Sequence, residues 1–182
     1  MELGPPDPPL ADGVIALRPW RIDDVAAITA ACQDPETARW TTIPEPYTEA
    51  DARAWVERCK RAWSEGAVPL AVTDRATDEL VAAITMWTIR QNVGEFGYWA
   101  VPAARGLGHV PRALRLLCAW AFDERGFERL QLGTFPGNTS SESVAEKVGF
   151  QREGLLRGWM VQRGERRDVT MWSLLPGELA RT

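Results

Sequence analysis

"FGYWAVPAARGLGHVPRAL", Phe96 to Leu114, joins an aromatic, strand-like segment to a leucine-bearing helix through two closely spaced glycines. Glycines at such a join expose backbone N–H groups at the helix's positive end, which favours an anion, above all a phosphate or pyrophosphate. Taken alone, the junction also fits an ordinary turn. Gly106-x-Gly108 lacks the third glycine of a dinucleotide-binding fingerprint, and the Gly-Lys-Ser/Thr ending of a P-loop is missing. Upstream, "VGEFGYWAV" (93–101) is a strand whose Gly94 and Gly97 predict a bulge or a close approach of another backbone or a ligand. Downstream, Val110, Leu114, Leu117 and Ala121 form one apolar stripe, and Gly126 marks its stop.

On the N-terminal side, "VIALRPW" (14–20) is a short strand ended by Pro19. "RIDDVAAITAACQD" then carries Ile22, Val25, Ile28 and Ala31/Cys32 at helical spacing, with Asp23 and Asp24 in the first turn. Prolines hold off a second helix until Thr48, where Thr48-x-x-Asp51 forms a capping pair and Gly66 marks the end. "VPLAVTD" and "ELVAAITMWTI", separated by "RATD", predict an antiparallel hairpin. Past the junction, "RLQLGT" is a strand. "NTSSESVAEKVGF" is a short helix opened by a Thr139-x-x-Glu142 capping box and closed by Gly149, and "QREGLLRGW" and "RRDVTMWSLL" are strand-like. The order β-α-α-β-β-β-α-β-α-β-β predicts an α/β (α+β) domain, a mixed sheet with helices on both faces.

The 182 residues suit one domain with a full core. Residues 1–13, rich in proline and glycine and poor in apolar side chains, are expected to form a flexible tail, leaving 14–182 as the single domain. An apolar fraction of 45% and a charged fraction of 25% are ordinary for a soluble globule. No run approaches the roughly 20 apolar residues of a membrane span. The net charge of -4 argues against a general nucleic-acid binder and suits a cationic acceptor. Cys32, Cys59 and Cys118 lack zinc-site spacing, and with a single histidine no metal centre is expected. The opening residues have neither the basic nor the apolar segment of a signal peptide, which predicts a reducing, cytoplasmic location.

Arg105-Gly106-Leu107-Gly108-His109-Val110 resembles the Q/R-x-x-G-x-G/A pyrophosphate loop of the GCN5-related N-acetyltransferases (GNAT family), placed after a strand and before a helix as in that motif. "EFGYWAVPAARGLG" is similar to the fourth strand and loop of the RimJ/RimL-like branch. "NTSSESVAEKVGFQREGLLRG" resembles that branch's Asn-x-x-Ser…GF-x-x-EG segment, and "IALRPWRIDD" and "RRDVTMWSLLPGE" resemble its two ends. The resemblance covers nearly the whole chain from residue 14. It implies the GNAT fold, a mostly antiparallel sheet of about six or seven strands flanked by about four helices and splayed between the fourth and fifth strands.

In that family acetyl-CoA lies in the splayed opening. By resemblance, backbone amides of Arg105, Gly106, Leu107, Gly108, His109 and Val110 would hold the pyrophosphate, with Arg105 helping to cap it. Tyr98, Trp99, Ala100 and Val101 would pair with the pantetheine amides, and Asn138 would touch the pantetheine arm from the other side. Two departures stand out. Val110 replaces the motif's final small residue, and Pro111 lies in the helix's first turn, where it is tolerated but has no N–H to donate.

Amine acetylation poses two proton problems: an ammonium must lose a proton before it attacks, and the CoA thiolate benefits from one as it leaves. Glu95 is the candidate base, since the resemblance places this carboxylate near the acetyl group, acting usually through a water; a solvent-facing glutamate on an alternating strand is the other reading. Many GNAT enzymes draw the acid from a tyrosine in the helix that carries Asn138, and the equivalent position here is Ala145. Ser141 resembles the serine proposed to assist the thiolate in RimL-like members, by hydrogen bonding or proton relay, although a first-turn serine also fits plain capping. The ring of His109 reads as solvated, its amide mattering more. Of nine tryptophans, Trp55, Trp63 and Trp120 read as core. Trp40, Trp87 and Trp159 fall in or near segments that shape the acceptor pocket in this branch, and Asp168 serves either the last strand or the acceptor site.

The expected activity is direct transfer of acetyl from acetyl-CoA to a primary amine in a ternary complex. By resemblance the acceptor is a protein or peptide N-terminal α-amine, with a small amine (antibiotic, amino acid or polyamine) as the alternative. A non-catalytic acyl-CoA-binding or sensing domain is the rival of another class, and nucleotide binding a weaker third. No nucleic-acid or membrane partner is expected, and a homodimer is one option that the sequence leaves open. A shallow groove beside Glu95 would favour a peptide, and a closed pocket a small amine.

Overall fold

The computed structural model describes residues 3–180. Three consecutive antiparallel strands, β2 (Ala67–Asp74), β3 (Leu80–Arg90) and β4 (Val93–Ala100), make the centre of the sheet, and β1 (Ile15–Arg18) pairs with β2. β5 (Arg129–Thr134) runs parallel to β4 and antiparallel to β7 (Glu165–Leu174), which pairs with the outer strand β6 (Gln151–Gln162). The seven strands thus lie in the order β1-β2-β3-β4-β5-β7-β6.

The parallel pair needs a crossover, supplied by α4 (His109–Asp123). Its pairing runs only from Val93↔Arg129 to Phe96↔Leu132. Beyond that point Gly97–Ala100 stays with β3 while Gly133 and Thr134 stay with β7, so the two facing edges are without a strand partner. Unpaired strand edges present rows of N–H and C=O groups to any extended ligand. This is the splay implied by the family resemblance.

α4 and α5 (Thr139–Val148) cover one face, where Leu114, Leu117, Cys118, Ala121, Ala145 and Val148 pack on Leu70, Ile84, Phe96, Leu130 and Leu132. α1 (Val25–Cys32) and α3 (Glu49–Ala62) cover the other, packing Val25, Ile28, Cys32, Ala52, Val56 and Cys59 on Ala71 and Ala83. With helices on both faces β2 is buried almost throughout. Each large side chain withdrawn this completely contributes about 1.5–3 kcal/mol. No helix among the described residues is long and apolar enough to cross a membrane.

The helix ends show which signals are local. Thr48 and Asp51 cap α3 reciprocally, with the Thr48 N–H donating to Asp51 Oδ2 at 2.8 Å. α5 differs from expectation: Asn138 is its N-cap, and Asn138 Oδ1 accepts from the Ser141 N–H at 3.2 Å, so the helix is capped one residue before the predicted Thr139 box. A further helix, α2 (Pro35–Trp40), was not expected. Asp34 caps it by accepting from the Thr37 N–H at 2.9 Å, and Pro35 opens it, but six residues are too few to show an apolar period.

The flexible tail expected for residues 1–13 is corrected over its described part. Leu3 is 1% exposed and its N–H donates to Trp63 O at 3.1 Å. The Asp12 carboxylate accepts from the Val14 and Ile15 N–H groups and pairs with Arg112 at 2.9 Å. Prolines leave this segment little conformational freedom to lose, so one buried leucine and one anchored carboxylate suffice to dock it. Residues 1 and 2 lie outside the described residues.

Candidate active site

The strand gap opens into a cleft of about 1350 Å³ that runs from the glycine loop to Glu95 and on between α2 and β6. At the loop, Gly106 (φ +77°) and Gly108 (φ +81°) are left-handed, and nothing lies within 4 Å of where a Cβ would stand on either. Glycine alone holds this backbone without strain, and it leaves the amides facing open space. Among the described residues, the N–H groups of Gly106 to Val110 donate to no backbone carbonyl. Pro111 takes the third position of α4, where no intrahelical partner is needed. Arg112, Arg115 and Lys147 add positive charge to the lining of this half.

Two loop residues depart from expectation. The Arg105 N–H donates to Pro102 O, while its guanidinium pairs with Asp34 and donates to Thr37 Oγ1 at 2.8 Å. Arg105 therefore braces the loop against α2, and its hydrogen bond holds the Asp34 carboxyl below the usual aspartate range. His109 is only 9% exposed, not solvated, because the first turn of α4 packs into the body along with Val110 and Pro111. Its Nδ1 has no hydrogen-bond partner among the described residues.

Strand alternation sends Glu95 and Tyr98 to opposite faces of β4. Tyr98 packs toward α4 and α5, and its hydroxyl lies 2.8 Å from Ser141 Oγ. Burial pushes the phenol above the usual tyrosine range, so it stays a proton donor at neutral pH. The expected pairing surface of β4 narrows to Tyr98, Trp99 and Ala100, since the Val101 N–H is taken by Val81 O at 2.9 Å and Val101 does not line the cleft. Asn138 and Ser141 line the opposite wall.

On the other face, Glu95 stands beside Gln131 of β5, whose Nε2 donates to Glu95 Oε2 at 2.7 Å. Gln131 Oε1 in turn accepts from Arg129 Nε at 3.3 Å, and Arg129 grips Glu153 through two bonds of 2.8 and 2.6 Å. Arg129, with help from Ser173, holds the Glu153 carboxyl down at about 2. This line of groups across β4, β5, β6 and β7 orients the Gln131 amide, which pins one oxygen of Glu95 and leaves Oε1 to the cleft. Gln131 is a site residue that sequence reading missed. Alternation puts it on the face of Arg129, but nothing local announces the register with Glu95. Gln131→Leu is expected to lower kcat about tenfold, less than the roughly hundredfold or more of a lost general base, because Glu95 itself remains. A rise in KM for acetyl-CoA in steady-state assays, with kcat intact, would instead assign Gln131 to donor binding.

Trp40, Trp87 and Trp159 line the far end of the same cleft, together with Glu36, Tyr47 and Trp55. Trp87 explains Gly97: a Cβ there would come within 2.9 Å of the indole ring, so the close approach foreseen at the strand glycines is by side chains. At Gly94 the neighbours are Leu130 and Met86, at 3.0 and 3.1 Å. Asp168 does not line the cleft; its Oδ1 accepts from the Gly158 N–H at 2.7 Å, which makes it a support for the hairpin of β6 and β7. The tip of that hairpin is tied to the end of α2. Buried Gln162 donates to Arg39 O at 3.0 Å and Thr41 O at 2.7 Å, and Arg163 donates to Ala38 O at 2.8 Å.

A parallel strand pair splayed beside an amide loop, with a carboxylate and a hydroxyl pair on opposite faces of β4, fits an acyl-transfer fold. The chain belongs to the acetyltransferase (GNAT) domain family, whose model matches residues 15–151, and is an acetyltransferase. An uncharacterized N-acetyltransferase, p20 of Bacillus licheniformis, is 29% identical over 170 residues, covering 91% of this chain and 95% of that protein. RimJ of Mycobacterium smegmatis, solved in complex with a CoA-disulfide, matches with a TM-score of 0.80 at 23% identity over 96% of this chain and 88% of that one. Ribosomal-protein-S5-alanine acetyltransferase of Vibrio fischeri matches with a TM-score of 0.79 at 16% identity, covering 95% and 99%. The likeness to these two structures is one of fold, the fold the RimJ/RimL-like motifs implied.

Proposed function

We propose that the protein transfers the acetyl group of acetyl-CoA directly to a primary amine, with donor and acceptor held at once at the gap between β4 and β5. The observation that carries this reading is the end of strand pairing at Phe96↔Leu132, which leaves an unpaired edge between the glycine loop and Glu95. The amides of Gly106 to Val110 take the pyrophosphate, the edge at Tyr98 to Ala100 pairs with the pantetheine amides, and Asn138 borders the arm. Glu95, directly or through a water, takes the proton of the ammonium. The freed nitrogen attacks the thioester carbon, the C–N bond forms as the C–S bond breaks, and CoA leaves as the thiol with a proton supplied through Tyr98 and Ser141. One further proton passes to solvent. Tyrosine, absent from α5 at Ala145, is here supplied by β4. Holding the two reactants together can contribute about 7–11 kcal/mol, well beyond the proton helpers.

For the acceptor, the name of the ribosomal-protein acetyltransferase among the fold neighbours supports a peptide N-terminal α-amine. The tie from Gln162 and Arg163 to α2, which bridges the acceptor end, favours the second reading, a small amine. Release of CoA thiol across a panel of peptides and small amines tests both. Acetyl-CoA binding without thiol release for any amine would leave only an acyl-CoA-binding or sensing domain.

A further inference from the structure

Resting on that reading, we infer that the acceptor is a primary amine carried on a flat aromatic body by a short alkyl arm: an arylalkylamine, either free or as the aromatic N-terminal residue of a peptide. Three tryptophans from three separate elements converge on the acceptor end: Trp40 of α2, Trp87 of β3 and Trp159 of β6. Trp87 is 40% exposed and Trp159 57% exposed. Large rings left in water and gathered in one cleft mark a surface that a ligand covers.

The rings of Trp87 and Trp40 are held by contacts, and Trp159 is placed by its backbone. Trp87 is the cross-strand neighbour of Glu95, on the same face, and its ring packs against Gly97, where a Cβ would come within 2.9 Å of it. Trp40 Nε1 donates to Glu36 Oε1 at 2.5 Å, and the Arg39 guanidinium sits 4.6 Å from the ring centroid. Trp159 reaches the cleft because β6 is irregular. Neighbours in a regular strand face opposite ways, yet Trp159 and Met160 both line the cleft. The register shifts between Leu156 and Met160, Gly158 is left-handed at φ +57°, and Asp168 Oδ1 and the Arg166 guanidinium bond the Gly158 N–H and C=O. Asp168 is thus a positioning residue for Trp159.

The charges select a cation with an apolar body. Glu36, Asp51 and Glu95 line this end, against Arg58, which lies over the Trp55 ring at 5.2 Å, and Arg39, which is stacked on Trp40. Indole faces beside carboxylates attract an ammonium and cover the ring attached to it. A polyamine would bring a second ammonium to the tryptophans without the flat surface that covers them.

The full-length protein is assayed at saturating acetyl-CoA with 2-phenylethylamine, tryptamine, putrescine and spermidine, and with short peptides beginning in Phe, Trp or Ala. The expected kcat/KM for the aromatic amines exceeds that for the aliphatic ones by at least about tenfold, a discrimination a fitted apolar pocket supplies. Trp159→Ala and Asp168→Ala each lower that ratio several-fold, while acetyl-CoA still binds by calorimetry. Turnover of free amines but not of the Phe and Trp peptides identifies a small-molecule source, and the reverse a peptide source. Preference for putrescine, spermidine or the Ala peptide, or an equal loss for every acceptor in both variants, overturns the inference and leaves acetyl transfer standing. Failure of every amine to release CoA thiol overturns both.

Discussion

Glu95→Gln is expected to lower kcat about a hundredfold or more at neutral pH, the scale of a lost general base. The substitution keeps the size of the side chain, and its amide oxygen can still accept from Gln131, so the half-buried position should fold as before. What disappears is the capacity to take a proton from the incoming ammonium. The deficit should therefore narrow as pH rises toward about 10, where an aliphatic amine sheds its own proton. KM for acetyl-CoA should move little, because the proposed donor contacts, the glycine loop and the backbone edge of Tyr98 to Ala100, do not involve the Glu95 side chain. Initial rates of thiol release over a pH series decide the matter. A kcat equal to wild type at every pH would remove Glu95 as the base while leaving the chain in its family.

Gly108→Val should act on the donor instead, raising the acetyl-CoA dissociation constant by about a hundredfold. At φ +81° an L-residue costs about 1–2 kcal/mol, and a β-branched one more. The loop would relieve that strain by turning the amides of Gly108, His109 and Val110 away from the open space they face. Each hydrogen bond to a charged phosphate lost in this way is worth about 1.5–3 kcal/mol. Calorimetric titration with acetyl-CoA measures the effect, and kcat at saturating donor should be largely kept, the opposite signature to Glu95→Gln. An unchanged dissociation constant would mean that the loop is not the donor's anchor.

The elements that could be read directly are those set by interactions within a few residues. The Thr48 and Asp51 cap, the junction glycine at 108 and the helix-closing glycine at 149, the apolar stripe of α4 and the hairpin of β2 and β3 are all written in local spacing. Where a local signal was too short or had a competitor, the reading slipped. The six residues of α2 hide no period, Asn138 outbid Thr139 as the cap of α5, and the proline-rich start docks through Leu3 and Asp12.

The candidate site divides in the same way. Glu95, the glycine loop, Asn138 and Ser141 were visible because each lies in a motif of consecutive residues. Their partners were not. Gln131 meets Glu95 through the parallel register of β4 and β5, and Tyr98 meets Ser141 across 43 residues of chain. Arg105 turned from the loop to α2, and Asp168 proved to hold a β6 irregularity that turns Trp159 into the cleft.

By itself, then, the sequence determined the order of the strands and of every helix but the short α2, the loop chemistry and the family, since backbone preference and apolar period act between near neighbours. Only the tertiary structure decided which side chains face each other across the gap. That depends on where pairing between β4 and β5 stops, a register set by packing of both sheet faces against helices distant in the chain.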